Sequence, residues 1–197
     1  MKLKLASCGH YNTVTLKMKK INQKYLKIVV NNSKYPKKII VKHFKMPNNE
    51  IQQFITNNES HSVVVFALTK QQDVYLVKQF RPGLETYDLE LPDGSINKGE
   101  EPIIAAKREL LEETGLVAGS IQHLGSIPYG PYSSGIKHMY MALNCTPTGK
   151  TNLDYNEFLE VKKYSLTEIK QMIKTASIRG FDVIYLGLDH LSELAKF

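Results

Sequence analysis

The chain reads as an α/β protein with a small antiparallel β extension at its N-terminus. Three features of its 197 residues point there. Short runs rich in β-branched and aromatic residues recur through the first two-thirds, bounded by Pro, Gly and Asn. One helix-period segment interrupts them, bracketed by Pro102 at its start and Gly115 past its end. A capping box, Ser165-Leu166-Thr167-Glu168, then opens a helical C-terminal stretch.

Taken in order, residues 13–45 form a β-meander. Its runs are Val14-Thr15-Leu16, Tyr25–Val30 and Ile39-Ile40-Val41, with a turn at Asn31–Pro36, and Pro47-Asn48-Asn49 ends it. His61–Leu68 is an unbroken apolar run, the pattern of a strand buried on both faces. Gln71-Gln72-Asp73 turns the chain into Val74–Phe80, its hairpin partner. Pro82-Gly83 and Pro92-Asp93-Gly94 make residues 82–100 a loop with one short strand near Leu89. A helix follows from Ile103 to Thr114. Strands are expected near 121–128 and 137–144, a polar loop over 146–156, and a strand at Phe158–Val161. The capping box opens a helix to about Ala176, and a last helix runs from about Phe181 to Leu194.

The composition, 42% hydrophobic and 23% charged, excludes a disordered chain, a collagen and a small disulfide scaffold. No apolar stretch approaches the ~20 residues that span a bilayer, so no membrane partner is expected. Leu5-Ala6-Ser7-Cys8 resembles a lipoprotein cleavage site, but Lys4 interrupts the apolar region before it. Cys8 and Cys145 lack metal-like spacing and read as thiols of a reducing compartment, which points to the cytoplasm.

Charge is unevenly spread. Residues 1–49 hold twelve Lys and no acid, whereas the rest of the chain has a balance of −5. The basic segment is a polyanion-binding patch, a solvated face, or a surface that packs on the acidic body of a partner subunit. Nucleic acid is the disfavoured partner, because the chain has 23 Lys and only 3 Arg, the residue suited to bidentate contacts.

The helix carries the chemistry. Glu109, Glu112 and Glu113 are spaced i, i+3, i+4, so their carboxylates share one face. Like charges so placed call for neutralisation, and hard cations prefer oxygen ligands. Arg108 stands i, i+4 from Glu112 and can orient it. Ile103, Ile104, Ala106, Leu110 and Leu111 are expected to form the opposite, packed arc.

Residues 94–116, GSINKGEEPIIAAKRELLEETGL, resemble the Nudix box, G-x5-E-x7-R-E-U-x-E-E-x-G-U, where U is a bulky aliphatic residue. Gly94, Glu100, Arg108, Glu109, Leu110, Glu112, Glu113, Gly115 and Leu116 fill every defined position. The seven fixed matches have a chance probability of order ~10⁻⁹ per window at ordinary residue frequencies. The resemblance implies an α/β/α sandwich around a mixed sheet, and hydrolysis of a nucleoside diphosphate linked to another moiety. It implies Mg²⁺ or Mn²⁺ held by Glu109, Glu112 and Glu113, with Glu100 and Arg108 orienting them. The backbone carbonyl of Asp93 completes the implied metal set.

The flanks, Val77-Lys78-Gln79-Phe80-Arg81-Pro82 and Leu89-Glu90-Leu91-Pro92-Asp93-Gly94, resemble the ADP-ribose pyrophosphatase branch, V-x-Q-[FY]-R followed by L-E-x-P-A-G. Pro131, fifteen residues past the box, fits the same branch. The resemblance implies that Arg81, Glu90 and Pro131 contact substrate. It makes Glu157 the general base beside Glu112 and Glu113 in the catalytic set, with Glu160 as runner-up. This chain departs from the branch with Asp93 in place of the usual Ala, and with no acid near Gly135. An adenine platform must come from an aromatic such as Tyr25, Phe44, Phe80 or Tyr87, because there is no Trp. The branch further implies a homodimer, in which a basic β-meander at 1–50 serves dimerisation or completes the partner's site, with the Nudix domain at 51–197. The expected activity is metal-dependent cleavage of ADP-ribose to AMP and ribose 5-phosphate. The alternatives are GDP-mannose or another nucleotide sugar or dinucleotide as substrate, or a non-catalytic Nudix sensor or RNA-binding module.

Overall fold

The computed structural model describes residues 19–26, 38–149, 151 and 158–194. The expected runs at 14–16 and 28–30 and the turn at 31–36 lie outside them. The described residues fall into two compact units that divide between Asn58 and Glu59.

The first unit is a three-stranded antiparallel sheet of β1 (Lys19–Leu26), β2 (Lys38–Lys45) and β3 (Ile51–Asn58), in that order. The sequence reading assigns no strand to β3. Its segment, Ile51-Gln52-Gln53-Phe54-Ile55-Thr56-Asn57-Asn58, lacks apolar–polar alternation and is mostly exposed. Pairing decides it instead: β2 matches β3 residue for residue from Lys38↔Asn58 to Lys45↔Ile51. Phe44 and Phe54 meet edge to face at 5.7 Å.

The second unit is built on an eight-stranded mixed sheet. Its strands are β4 (Ser62–Thr69), β5 (Asp73–Arg81), β6 (Thr86–Glu90), β7 (Asp93–Ser95), β8 (Leu116–Val117), β9 (Ser120–Pro128), β10 (Ile136–Pro147) and β11 (Leu159–Ser165). The main path runs β11-β5-β4-β10-β8, with β6 on β5, β7 on β4 and β9 on β10. The β4–β10 pair is parallel and the other described pairs are antiparallel. Helix α1 (Pro102–Thr114) covers one face; α2 (Leu166–Lys174) and α3 (Phe181–Leu194) cover the other. The result is the expected α/β/α sandwich.

All eight residues of β4 are buried. Val63, Val65 and Ala67 pack with Ala105, Ala106 and Leu110 of α1. Val64, Phe66 and Leu68 pack with Ile169 of α2, with Val183 and Ile184 of α3, and with Ile178 between those helices. Each large side chain so buried contributes about 1.5–3 kcal/mol. The α2 capping box forms as expected: the Ser165 hydroxyl accepts from the Glu168 N–H, and the Glu168 carboxylate accepts from the Ser165 N–H. Burial pushes the Cys145 thiol up to about 11, so at neutral pH it is an unreactive thiol of the core.

Strands β4 and β5 pair at Leu68↔Val74 and then diverge. Strand β6 lines β5 from Val77 to Arg81, and β7 lines β4 from Ser62 to Val64. This wedge brings Arg81, Glu90 and Asp93 to one end of the sheet.

Helix α3 approaches the sheet through Gly187, where a Cβ would overlap the Phe66 ring. Replacing a helical Gly by Ala gains about 1 kcal/mol in propensity. Here overpacking of about 1–3 kcal/mol should exceed that gain. Gly187→Ala is therefore expected to lower Tm in calorimetry by about 2–4 °C rather than raise it.

Candidate active site

Helix α1 begins with Pro102 at its first turn and ends at Gly115, which adopts φ 69° and donates its N–H to the Leu111 carbonyl. The buried face of α1 is not the expected arc. Ala105, Ala106, Glu109, Leu110, Glu113 and Thr114 are buried, whereas Ile103, Ile104 and Leu111 are exposed, Ile104 by 52%. The helix is turned so that two carboxylates enter the protein, because partners wait for them there. Glu113 accepts the backbone N–H of Asp93 at 3.0 Å. Glu109 lies against Gly94, where a Cβ would overlap its carboxylate. The glycine that opens the box is thus a requirement of close approach.

Arg108 ties the box together. Its Nε and Nη2 donate to the two oxygens of Glu100, each at 2.9 Å. Its Nη1 donates to Glu109 at 2.7 Å and to Glu112 at 3.0 Å. A second bond from Nη2 reaches the Ser95 carbonyl at 3.0 Å. These bonds match the five N–H donors of a guanidinium. The Arg108 hydrogen bonds hold the Glu100 carboxyl below the usual carboxylate range, and the Asn97 N–H adds to the effect. Five of the expected residues, Glu100, Arg108, Glu109, Glu112 and Glu113, are therefore in one connected network with Asp93 and Gly94.

Beside it lies a second arginine clamp. Arg81 donates through Nε and Nη2 to the two oxygens of buried Glu90, both at 2.6 Å. Arg81 Nη2 is also 3.6 Å from the Asp93 carboxylate. Asp93 is pushed up to about 6 because protein crowds its carboxyl, and Arg81 opposes the shift; 39% of the side-chain surface nevertheless stays open.

The remaining expectations are spread more widely. Pro131 is exposed in the loop joining β9 to β10. That loop is held by Tyr129, whose hydroxyl donates to Ser62 of β4, and by Ser133, which donates to Glu59. Ser62 is the register partner of Ser95, so Tyr129, a residue the sequence reading passes over, anchors the loop beside the box. Glu157 and the Tyr25 side chain lie outside the described residues. Glu160 is exposed on β11 and pairs with Lys162. Phe44 packs on Phe54 in the N-terminal sheet. Phe80 and Tyr87 meet edge to face at 5.4 Å, and both are exposed at the β5–β6 hairpin.

The donor set suits a hard cation by its chemistry: three box carboxylates, Glu100, Glu109 and Glu112, share the single charge of Arg108, and Glu113 is held by a backbone N–H, which leaves excess negative charge on oxygen ligands. Among the described residues no three acidic, imidazole or thiol groups stand close enough together, as they are, to hold a metal ion. Arg108 and the Asp93 N–H hold the carboxylates where they stand.

A family model, the NUDIX domain, matches residues 59–184. The ADP-ribose pyrophosphatase of Bacillus subtilis (strain 168) is 29% identical over 164 residues, which cover 80% of this chain and 89% of that protein. The methanol dehydrogenase activator of Bacillus methanolicus is 32% identical over 143 residues, 72% of this chain and 77% of its own. A crystal structure of an ADP compounds hydrolase superposes with a TM-score of 0.77 at 19% identity, covering 92% of this chain and 97% of that one, a likeness of fold.

The two acids flanking the arginines carry opposite pH signatures. Glu100 is depressed, so its stabilisation is present above its unfolded value and is lost as pH falls through the lowered one. Asp93 is raised, so its ionisation removes stability as pH rises from about 4 to about 6. In metal-free protein, Asp93→Ala is expected to raise Tm at pH 7.5 by about 2–4 °C, roughly 1 kcal/mol after screening by solvent. The gain should vanish near pH 4. An unchanged Tm at both pH values would show that Asp93 is not held raised.

Proposed function

The chain belongs to the Nudix family, and we propose that it hydrolyses the diphosphate bond of ADP-ribose to give AMP and ribose 5-phosphate. The observation that carries this reading is the pairing of a complete box network on Arg108 with the Arg81–Glu90 clamp, in a chain that aligns with most of an ADP-ribose pyrophosphatase. The residues that would hold a divalent cation, Mg²⁺ or Mn²⁺, are Glu109, Glu112 and Glu113 with the Asp93 carbonyl. Such a cation, when bound, neutralises diphosphate charge and makes water a better nucleophile.

The protein's own groups supply the rest. Arg108 fixes three carboxylates relative to Ser95 and so sets the geometry of the donor set. Arg81, held along one edge by both oxygens of Glu90, presents a cation to the diphosphate or the ribose next to it. Pro131, in the loop that Tyr129 anchors, bounds the substrate. In the reaction, a water oxygen bonds to one phosphorus and the bond from that phosphorus to the bridging oxygen breaks. The Glu157 carboxylate takes the water's proton, and the bridging oxygen leaves on the other phosphate. The same reading assigns the protein to the cytoplasm as a homodimer, with the basic N-terminal segment serving dimerisation or completing the partner's site.

The experiment is a phosphate-release assay coupled to alkaline phosphatase. The panel is ADP-ribose, ADP-glucose, GDP-mannose, NADH, diadenosine polyphosphates and nucleoside triphosphates. Preference for ADP-ribose is expected. Glu112→Gln should keep the far-UV circular dichroism of the wild type and lower kcat by about 10³-fold or more, the scale of several kcal/mol of lost charge stabilisation. Wild-type turnover in that variant would overturn the assignment of Glu112. The Bacillus methanolicus relative favours a second reading, activation of a dehydrogenase. A methanol dehydrogenase whose rate does not change on adding the purified chain would eliminate it.

A further inference from the structure

The chain uses arginine three times against 23 lysines. Two of the three, Arg81 and Arg108, are the clamps described above. The third, Arg179, lies in the turn between α2 and α3, far from both in sequence. Its backbone N–H donates to the Leu89 carbonyl at 2.9 Å, which fixes the turn on β6. Gly180 follows at φ 77° with its backbone against Leu91. The Arg179 Nε donates to the Asp88 carboxylate and stands 3.8 Å from Glu90 Oε1. That Glu90 oxygen is the one that accepts from Arg81 Nε.

We propose that Arg179 is a positioning residue that sets the guanidinium of Arg81 through the shared carboxylate of Glu90. Asp88 and Glu90 are two residues apart on β6, so they share one face, and like charges so placed repel. Glu90 is buried, and a buried carboxylate needs its charge matched. Arg179 sits between the two acids and supplies that charge from one side while Arg81 supplies it from the other. The series Asp88, Arg179, Glu90, Arg81, Asp93 alternates in sign without a gap. It ends at Asp93, whose N–H is held by Glu113 of the box. Removing Arg179 leaves Glu90 with one cation and a like-charged neighbour. The carboxylate is then free to shift, and Arg81 shifts with it. Both contacts run from Nε, which lies back along the side chain, so a lysine ammonium at the end of a flexible stem reproduces them only in part.

The inference rests on the reading of Arg81 as a substrate contact. Arg81 acts on bound substrate before and during reaction, so its misplacement should appear in KM more than in kcat. In the ADP-ribose assay, Arg179→Ala is expected to raise KM about tenfold with kcat within about threefold, and Arg179→Lys to recover part of the loss. In an Arg81→Ala background the same Arg179→Ala change should alter KM by less than about twofold, because the residue it positions is gone. An active wild type whose KM is untouched by Arg179→Ala, with only Tm lowered, overturns the relay and leaves the functional reading intact. A KM effect undiminished in the Arg81→Ala background overturns it too, since Arg179 would then touch substrate itself. If the wild type prefers another compound of the panel, the ADP-ribose reading fails and the same comparison is made on that compound. A wild type that turns over none of them overturns both.

Discussion

The active end of this molecule depends on one guanidinium. Arg108 places its donors on Glu100, Glu109, Glu112 and the Ser95 carbonyl, and so joins the loop before α1, the helix itself and strand β7 in one rigid figure. Without a cation at that point, burying carboxylates on a helix would cost more than the packing around them returns. With it, and with the Asp93 N–H that Glu113 accepts, α1 can turn Glu109 and Glu113 inward and leave Ile103, Ile104 and Leu111 facing water. The helix sits where its charges are satisfied. The apolar contribution comes from the small residues Ala105 and Ala106 together with Leu110, against β4.

The same logic recurs beside the box. Arg81 and Arg179 divide the charge of Glu90, Asp88 and Asp93. A lysine-rich chain reserves its few arginines for places where two carboxylate oxygens, or two carboxylates, must be engaged together. Asp93 is the costly member, with a carboxyl raised to about 6 despite its cationic neighbour. Its backbone contributes to the site through the N–H bond to Glu113, whatever side chain it carries. The family's usual alanine would therefore preserve that contact.

Much of this was legible in the sequence where local rules act alone. Pro102 and Gly115 marked both ends of α1, Ser165 and Glu168 marked the start of α2, and the unbroken run at 61–68 marked a strand covered on both faces. The box residues named the network because their spacing is itself the geometry. Non-local effects were not legible. Strand β3 has no alternation and exists because β2 pairs with it. The inward face of α1 could not be read from hydropathy, because hydrogen bonds to groups eight to twenty positions away outweigh the isoleucines. Arg179 carried no motif, and its signal was only the rarity of its residue type.

The parallel pairing of β4 with β10 also governs how the chain comes together. Ser62 and Lys137 are register partners, and the hairpins, α1 and β9 all lie between them. Closing so long a loop costs entropy before any of the contacts that reward it are made. The β4–β7 pairing that frames Gly94 closes a much shorter loop. The Tyr129–Ser62 contact, in contrast, waits for β9 and β10 to return to β4. The box end of the site therefore closes over a short loop, and the Tyr129 contact beside it carries the larger closure entropy.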